Sequence, residues 1–363
     1  MSARPAYQVV EDSRPRGTYR GAVVGCGRMG STIDDEHVGM PHYPWPWAHA
    51  PAMIEASGIE LVAGVDVDRA KLEDFGRRWE VDGLYTDIRE MVEREKPDIV
   101  SVTTRPRERP EVVAALAESG VRAIFATKPL CRSLADADAM IEVCRRTGTI
   151  LSVACHLNWY APYRAALELI RGGEIGPLRS VICNTPMTLS NIGSHSLALI
   201  RMFAGAPASW VFGHMDDDVR AAGDEDLSGS GYVFYENGVT AILNSRAPAR
   251  TWSVELLCER GRIVSREHHA EFELWTQGRA FGDTSIKYES RQLFPYPWRP
   301  RSSMVDALEG VARSIEAGRE EVCPGEFGRE ALEVAIALRE SHRRSGSRVD
   351  LPLEDRSLSL GRP

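Results

Sequence analysis

Apolar and polar positions alternate regularly through the first half of the chain. Short runs rich in β-branched residues predict buried strands at residues 21–24, 61–65, 99–103, 123–126 and 150–154. The segments between them have the pattern of helices, at residues 69–79, 88–95, 110–118 and 134–146. Strands that alternate with helices are joined by right-handed crossovers, so this half predicts an α/β architecture in which helices cover both faces of a parallel sheet.

The pattern changes after about Cys155. Residues 162–172 predict an amphipathic helix, and two later stretches each predict a pair of strands joined by a short turn. The turns fall at Asn237-Gly238, where both residues tolerate positive φ, and at Arg260-Gly261. Antiparallel strands are therefore expected to dominate the second half. Two segments that end at glycine, MVDALEGVARSIEAG and REALEVAIALRESHRRSG, predict helices packed on one face.

The length of 363 residues suits two domains of common size. We expect an arm at residues 1–19, a dinucleotide-binding domain at residues 20–155, and a substrate-binding and oligomerisation domain at residues 156–363. The end of the last domain is free to pack back onto the first.

Composition and charge exclude several classes of partner. Lys and Arg total 44 against 52 for Asp and Glu, and the basic residues are scattered, so neither nucleic acid nor an anionic membrane is an expected partner. No apolar stretch approaches the roughly 20 residues that cross a bilayer, and no apolar signal core is present, which predicts a cytoplasmic protein. The seven cysteines include no C-x-x-C pair and are interpreted as reduced, mostly buried thiols. The acidic stretches IDDEHV and MDDDV lack spaced His or Cys ligands, so they are interpreted as solvated turns and no metal is expected.

A glycine-rich turn follows the first predicted strand. Residues 25–30 read G-C-G-R-M-G, and Asp66 ends the next strand, as in dinucleotide-binding folds. A carboxylate there accepts hydrogen bonds from the adenosine ribose and repels a 2′-phosphate, so NAD is predicted over NADP, although Arg28 and Arg69 are able to soften that preference. The predicted cofactor contacts in this region are Gly25, Gly27, Arg28, Met29, Gly30 and Asp66.

An insertion separates the glycine turn from its acidic partner. Asp66 follows Gly30 by 36 residues, whereas the usual spacing is about 20. The insertion leaves the sheet at the edge where cofactor and substrate meet, so its aromatic segment, residues 41–47, is predicted to form a lid over the nicotinamide pocket. The alternative is that these side chains pack against a second subunit or the arm. The predicted substrate contacts in the lid are His42, Tyr43, Trp45 and Trp47.

Several motifs together resemble the Gfo/Idh/MocA family of glucose-fructose oxidoreductase, inositol dehydrogenase and their relatives. These are VVGCGRMG, GVDVD, DIVSVTT, ATKPL, LIRGGEIGPLRSV and NIGSHSLALIRMFAG, and the resemblance covers nearly the whole chain after the arm. It implies a Rossmann domain followed by an α/β domain with a large, open, mostly antiparallel sheet that often mediates oligomerisation. It also implies a nicotinamide cofactor and a sugar or cyclitol substrate.

The resemblance assigns the site residues one by one. Lys128 corresponds to the lysine of the family's E-K-P segment, which contacts substrate and cofactor, and His195 to the histidine that handles the proton. The sequence departs from the family pattern at Thr127, where the segment has glutamate, and at Asn191, where many relatives have aspartate. Asn191 is expected to orient the ring of His195 without adding charge, which makes His195 a weaker base. The remaining predicted contacts are Thr103, Thr104 and Arg105 for the cofactor, and His156, Asn158, Trp159 and Tyr160 for the substrate.

The sequence is compatible with three functions. The first is NAD-dependent hydride transfer at a secondary hydroxyl of a sugar, glycoside or cyclitol, with Lys128 and His195 at the proton-transfer end. The second is NAD-dependent glycoside cleavage, by transient oxidation at ring carbon three followed by elimination. The third is a regulator that binds NAD without turnover. The expected assembly is a homodimer or homotetramer formed through the C-terminal sheet.

Overall fold

The computed structural model describes residues 15, 17–40, 45–247, 251–266, 269–277, 288–296, 301–320 and 322–361. The predicted arm lies outside the described residues except at Pro15 and Gly17–Tyr19, and Tyr19 is already the first residue of strand β1.

The first sheet has six parallel strands in the order β3-β2-β1-β4-β5-β6. The chain order reverses beside β1, which creates the crevice where nucleotides bind in such sheets. The strands are β1 Tyr19–Val24, β2 Ile59–Val65, β3 Gly83–Tyr85, β4 Ile99–Val102, β5 Ala123–Ala126 and β6 Ile150–Val153. The helices are α1 His49–Glu55, α2 Arg69–Trp79, α3 Ile88–Glu95, α4 Arg109–Glu118 and α5 Leu134–Thr147. The predicted strands and helices of this half are confirmed, whereas β3 and α1 were not predicted.

Side-chain caps explain why three of these helices begin where they do. Asp68, Asp87 and Ser133 each precede a helix, and each accepts a hydrogen bond from a backbone N–H of the first turn. Such caps stabilise a helix by about 1 kcal/mol because they satisfy donors that the helix leaves unpaired. The starts of α2, α3 and α5 are therefore set locally by the sequence.

The insertion replaces the long helix that usually follows a glycine turn. A single π-helical turn at Arg28–Thr32 runs into a 3₁₀ turn at Ile33–His37, and helix α1 begins only at His49. Asp34 closes the insertion, since its carboxylate accepts from the backbone N–H of Trp47 at 2.8 Å and of Ala48 at 3.2 Å. The interpretation of IDDEHV as a solvated turn was therefore wrong for Asp34.

The second sheet has nine strands in the order β14-β13-β12-β11-β7-β10-β9-β8-β15. Neighbouring strands are antiparallel except for β7 and β10, and the two predicted strand pairs are confirmed as β9–β10 and β11–β12. The strands are β7 Leu178–Asn184, β8 Ala208–Met215, β9 Gly229–Tyr235, β10 Thr240–Asn244, β11 Ser253–Cys258, β12 Gly261–Arg266, β13 Glu271–Gln277, β14 Glu289–Gln292 and β15 Val349–Asp350. The helices are α6 Ala161–Arg171, α7 Gly193–Ala204, α8 Asp218–Ala221, α9 Ser303–Ala317 and α10 Gly325–Arg343.

Helix α10 covers one face of the second sheet at very close range. A Cβ on Gly213 of β8 would lie 2.2 Å from the carbonyl oxygen of Leu338, so no larger residue fits there. Gly231 of β9 meets the side chain of the same leucine. Among the described residues, the opposite face of the sheet is open, and Phe212 and Ile242 on it are 40% and 46% exposed.

The end of the chain returns to the first sheet. The N–H of Ala135 in α5 donates to the carbonyl of Arg356 at 2.8 Å, and the N–H of Leu360 donates to Arg132 at 2.8 Å. Helix α9 packs against α1 and β5, so it also belongs to both halves. None of the helices in the described ranges is long and apolar enough to span a bilayer. All seven cysteines are free thiols, and all but Cys258 are buried.

Candidate active site

The three motif glycines of the turn are required for different reasons. Gly25 has a φ of +97°, and a Cβ there would lie 2.7 Å from Thr103 Oγ1, while a Cβ on Gly30 would overlap the carbonyl oxygen of Gly25. A Cβ on Gly27 would meet nothing nearer than Lys71 Cδ at 3.9 Å. Packing therefore explains why residues 25 and 30 are glycine, but it does not explain Gly27. The backbone of Gly27 is bare and leaves open space of the kind that a pyrophosphate needs. The turn fits a dinucleotide on this observation.

Asp66 lies directly beside the turn. Its carboxylate accepts from the backbone N–H of Cys26 at 2.8 Å and from that of Asp68 at 2.9 Å. Both bonds use backbone donors, so the carboxylate is fixed in place while the residue stays partly exposed. That Asp66 binds ribose hydroxyls stays a prediction.

The other predicted cofactor contacts are placed in different ways. Thr103 Oγ1 donates to the carbonyls of Gly25 and Val24, at 2.5 Å and 3.2 Å, and so supports the turn. The hydroxyl of Thr104 is buried without a hydrogen-bond partner. Arg105 is exposed, and Arg28 is paired with Glu36 at 2.5 Å on the surface.

Lys128 follows β5 and extends toward helix α7. Its Nζ donates to the carbonyl oxygen of Asn191 at 3.1 Å and to Asn191 Oδ1 at 3.3 Å. Asn191 therefore holds the lysine rather than the imidazole of His195, whose Nδ1 is buried without a hydrogen-bond partner. The expectation that Asn191 orients the ring of His195 is not met in this arrangement.

His195 lies at the start of α7 against a second imidazole. The ring centroids of His195 and His156 are 4.7 Å apart, and Nδ1 of His156 is 2.7 Å from the hydroxyl of Ser303. Burial and the nearby Lys128 ammonium lower the pKa of His156 to about 3 and hold the pKa of His195 well below its ordinary value. Both rings are therefore neutral at pH 7.

These groups face one cavity of about 420 Å³ that runs from the glycine turn to the second sheet. Such a volume is typical of small-molecule sites. His49 also lines it; the residue is fully buried, neither ring nitrogen has a hydrogen-bond partner, and burial lowers its pKa to about 3. The lining residues are Arg28, Met29, Ile33, His37, Trp47, His49, Thr127, Lys128, Ala154, His156, Leu157, Tyr160, Met187, Asn191, Ile192, His195, Trp252, His269, Ser303 and Met304.

The predicted lid is only partly described. His42 and Tyr43 lie outside the described residues. Trp47 lines the cavity and packs edge-on against His37, with ring centroids 4.9 Å apart. Trp45 is half-buried beside the same histidine, at 6.4 Å, and is not among the cavity-lining residues.

Two of the residues predicted to contact substrate after β6 lie elsewhere. Asn158 is fully buried and donates to the carbonyl of Ala198 at 3.3 Å. Trp159 packs edge-on against Phe125 and beside Gly310 of α9. Neither lines the cavity, which corrects the expectation; both fill the junction between the halves. His156 and Tyr160 do line it.

Sequence reasoning missed several residues that shape the site. Arg109 is 1% exposed and donates to the carbonyls of Thr104, Pro129 and Leu130. It therefore braces the segment that carries Lys128. Trp252 and Ser303 lie far from any motif along the chain, and no sequence signal pointed to them.

Comparison with known proteins also indicates a dinucleotide-binding domain. Residues 19–155 match the model of the oxidoreductase family GFO_IDH_MocA, described as an NAD-binding Rossmann fold. Myo-inositol 2-dehydrogenase of Thermotoga maritima is 24% identical over 340 residues, which are 88% of this chain and 95% of that protein. D-apiose dehydrogenase of Paraburkholderia graminis is 30% identical over 177 residues, 48% of this chain and only 43% of that protein.

Solved structures share the whole fold. Aldose-aldose oxidoreductase from Caulobacter crescentus, solved with glycerol, superimposes with a TM-score of 0.75 at 20% identity, over 92% of this chain and 100% of that one. An inositol dehydrogenase homolog from Azotobacter vinelandii, solved with NADH and myo-inositol, gives 0.74 at 18% identity, over 93% and 98%. With a Rossmann sheet and a fitted glycine turn, residues 19–155 match the NAD-binding Rossmann domain of the Gfo/Idh/MocA oxidoreductase family, and the chain as a whole shares the fold of these solved structures.

Proposed function

We propose that the protein is an NAD-dependent dehydrogenase that oxidises a secondary hydroxyl of a sugar, glycoside or cyclitol. The observation that carries the proposal is the convergence of Lys128 and His195, from separate halves of the chain, on the cavity that begins at the glycine turn. The names of the relatives support it, since they act on apiose and myo-inositol. NAD is favoured over NADP because Asp66 would repel a 2′-phosphate.

Bound NAD would supply a hydride acceptor, and the residues of the chain would manage the proton. His195 is neutral at pH 7, because burial lowers its pKa, so it is able to accept the hydroxyl proton of the substrate. Lys128 would donate a hydrogen bond to the same oxygen and stabilise negative charge that develops there. Asn191 is a positioning residue, since it accepts from Lys128 Nζ.

The test is NADH formation measured by absorbance with a panel of sugars, cyclitols and glycosides. Lys128→Met should lower kcat/KM by about 10²- to 10⁴-fold, the usual contribution of proton-transfer groups. Lys96→Met is the matched control, since Lys96 is exposed at the end of α3. Binding of NAD with neither reduction nor aglycone release across the whole panel would reject the proposal in favour of a regulator.

One observation favours a second candidate, NAD-dependent glycoside cleavage. Elimination after oxidation at ring carbon three needs a base for the neighbouring C–H as well as one for the hydroxyl, and His156 lies beside His195 with a ring also neutral at pH 7. Water would then add and the hydride would return, so the net reaction is hydrolysis. Aglycone release with catalytic NAD and no net NADH would distinguish it.

We also propose that two copies pair through the open face of the second sheet. Phe212, Tyr232, Ile242 and Ile182 are direct cross-strand neighbours and form an apolar row across four strands. Trp210 stacks on Phe234 beside that row, with ring centroids 5.1 Å apart. A contiguous apolar surface of this kind is typical of protein interfaces. The seven free thiols favour a cytoplasmic location for the assembly.

A further inference from the structure

A continuous wall of rings lines the cavity. Neighbouring ring centroids are separated by 6.3 Å from Trp47 to His156, 4.7 Å from there to His195, 6.1 Å to Trp252 and 4.5 Å to His269. The rings come from the insertion, from the loop after β6, from α7 and from the segments that flank β11 and β12. We name these five residues the ring wall. Because the rings come from separate parts of the chain, only the tertiary fold brings them together.

The polar side chains that line the cavity carry imidazole, hydroxyl, amide and cationic groups. Among the lining residues in the described part of the chain, none is Asp or Glu. His156 already has Nδ1 beside Ser303, and the indole N–H of Trp252 donates to Ser196 at 3.2 Å.

These two facts weigh against a free polyol. Each hydroxyl buried without a partner costs about 1–3 kcal/mol. A flat aromatic group on the same wall is stabilised by the burial of its apolar area. Ring packing adds about 0.5–1.5 kcal/mol to its binding free energy. A ligand with one polar end and one aromatic end therefore suits the cavity better than one with hydroxyls all round.

We propose that the substrate is a glycoside with an aromatic aglycone. The sugar hydroxyl to be oxidised lies at Lys128 and His195, and the aglycone lies against Trp252 and His269. This inference rests on the proposed dehydrogenase function for the placement of the sugar, but it makes a separate claim about what the ring wall recognises.

Matched pairs of compounds test the claim. Phenyl and methyl glycosides of glucose, galactose and xylose, in both anomers, are compared by kcat/KM for NAD reduction, with the free sugars and myo-inositol alongside. Their Kd values are measured by calorimetry on the wild-type protein saturated with NADH. We expect the phenyl member of at least one pair to exceed its methyl partner by about 10-fold or more in both quantities. Ratios near one in every pair, no binding by any glycoside, or preference for a free sugar or myo-inositol would overturn the inference.

The two readouts separate this inference from the proposed function. If phenyl glycosides bind at least 10-fold more tightly than methyl glycosides but no compound reduces NAD, the dehydrogenase proposal fails and the ring-wall inference stands. If NAD is reduced equally well with both members of each pair, the dehydrogenase proposal stands and the ring-wall inference fails.

Variants locate the effect on the wall. Trp252→Leu should reduce the phenyl-to-methyl ratio of Kd values severalfold, whereas Trp252→Phe, which keeps a ring, should retain most of it. Trp275→Leu is the matched control, since Trp275 lies on β13 and does not line the cavity. His269→Leu repeats the test at the other ring that the aglycone contacts, in case Trp252→Leu does not fold. An unchanged ratio in both leucine variants, or an equal loss of NADH affinity, would contradict the role of the wall.

Discussion

At the residue scale, the site depends on whether Asn191 contacts Lys128 or His195. Asn191 gives both its carbonyl and its amide oxygen to Lys128, while His195 Nδ1 has no hydrogen-bond partner. A neutral amide also leaves the imidazole without the negative neighbour that stabilises its protonated form. The chain therefore keeps His195 as a weak base in a buried, uncharged state.

Asn191→Asp should change this balance. A carboxylate four residues before His195 would favour the imidazolium, so the pKa of His195 should rise. Because a base acts only when it is neutral, the acid limb of the kcat/KM profile should move upward, by about 1 pH unit for a partly screened charge. Asn191→Ser, which adds no charge, is the control. A profile that stays in place in the aspartate variant would contradict the proposed role of His195.

At the scale of elements, the insertion is fixed by one carboxylate. Asp34 and Asp35 are neighbours in the same short turn, yet Asp34 accepts from two backbone N–H groups before α1 while Asp35 pairs with Arg78 at the surface. The first contact holds Trp47 at the cavity, and the second is an exposed ion pair that contributes little to stability. The position of the ring wall at this end therefore depends on Asp34.

Asp34→Ala should loosen Trp47 and raise KM for the carbohydrate about 5- to 10-fold, since only part of the about 1.5–3 kcal/mol that such charge-assisted hydrogen bonds contribute is lost from substrate binding. Asp35→Ala should change KM less than twofold. The measurement is steady-state kinetics at saturating NAD. Equal effects of the two substitutions would show that the contacts of Asp34 do not position the insertion.

The same turn shows where prediction from sequence ends. The strands and helices of the first half were predictable because the spacing of apolar residues and the side-chain caps are local properties of the sequence, as in α2 and α5. Asp34 and Asp35 cannot be told apart locally, since the donors for Asp34 lie 13 and 14 residues away. Lys128 and His195 were placed by resemblance to a family, whereas Trp252 and Ser303 reach the cavity only through the tertiary fold.

At the scale of the whole molecule, buried histidines tie stability to pH. Folding lowers the pKa of His49 and His156 to about 3 and that of His195 well below its ordinary value. Between pH 6.5 and these lowered values the unfolded chain binds protons that the folded chain does not. The free energy of unfolding is therefore highest above pH 6.5 and falls as the pH decreases.

His49→Leu tests this linkage. Urea unfolding at pH 7.5 and pH 5.0 should show a smaller loss of stability in the variant than in the wild type, by about 2 kcal/mol, the value for one group that titrates over this range. Carboxyl groups that titrate in both proteins cancel in the comparison. Identical losses would mean that His49 is not a buried neutral group in solution.

The proposed pairing of two copies is also a property of the whole molecule. Ile242→Glu places a charge in the apolar row of the second sheet and should convert the assembly to a smaller species in light scattering coupled to gel filtration. Val219→Glu is the control, since Val219 is 85% exposed on α8, outside that sheet. A wild-type protein that elutes as a monomer would reject the pairing.

The return of the chain's end to α5, with α9 shared between the two halves, has a mechanical consequence. A molecule tied across its junction by Trp159, Arg356 and Leu360 has no single connecting strand about which its halves could swing. Entry and exit of a ligand would then be governed by local loop displacement. A fragment cut after residue 155 would expose the surfaces of α1, α5 and β5 that later segments cover, and it would aggregate rather than fold as a free-standing nucleotide binder.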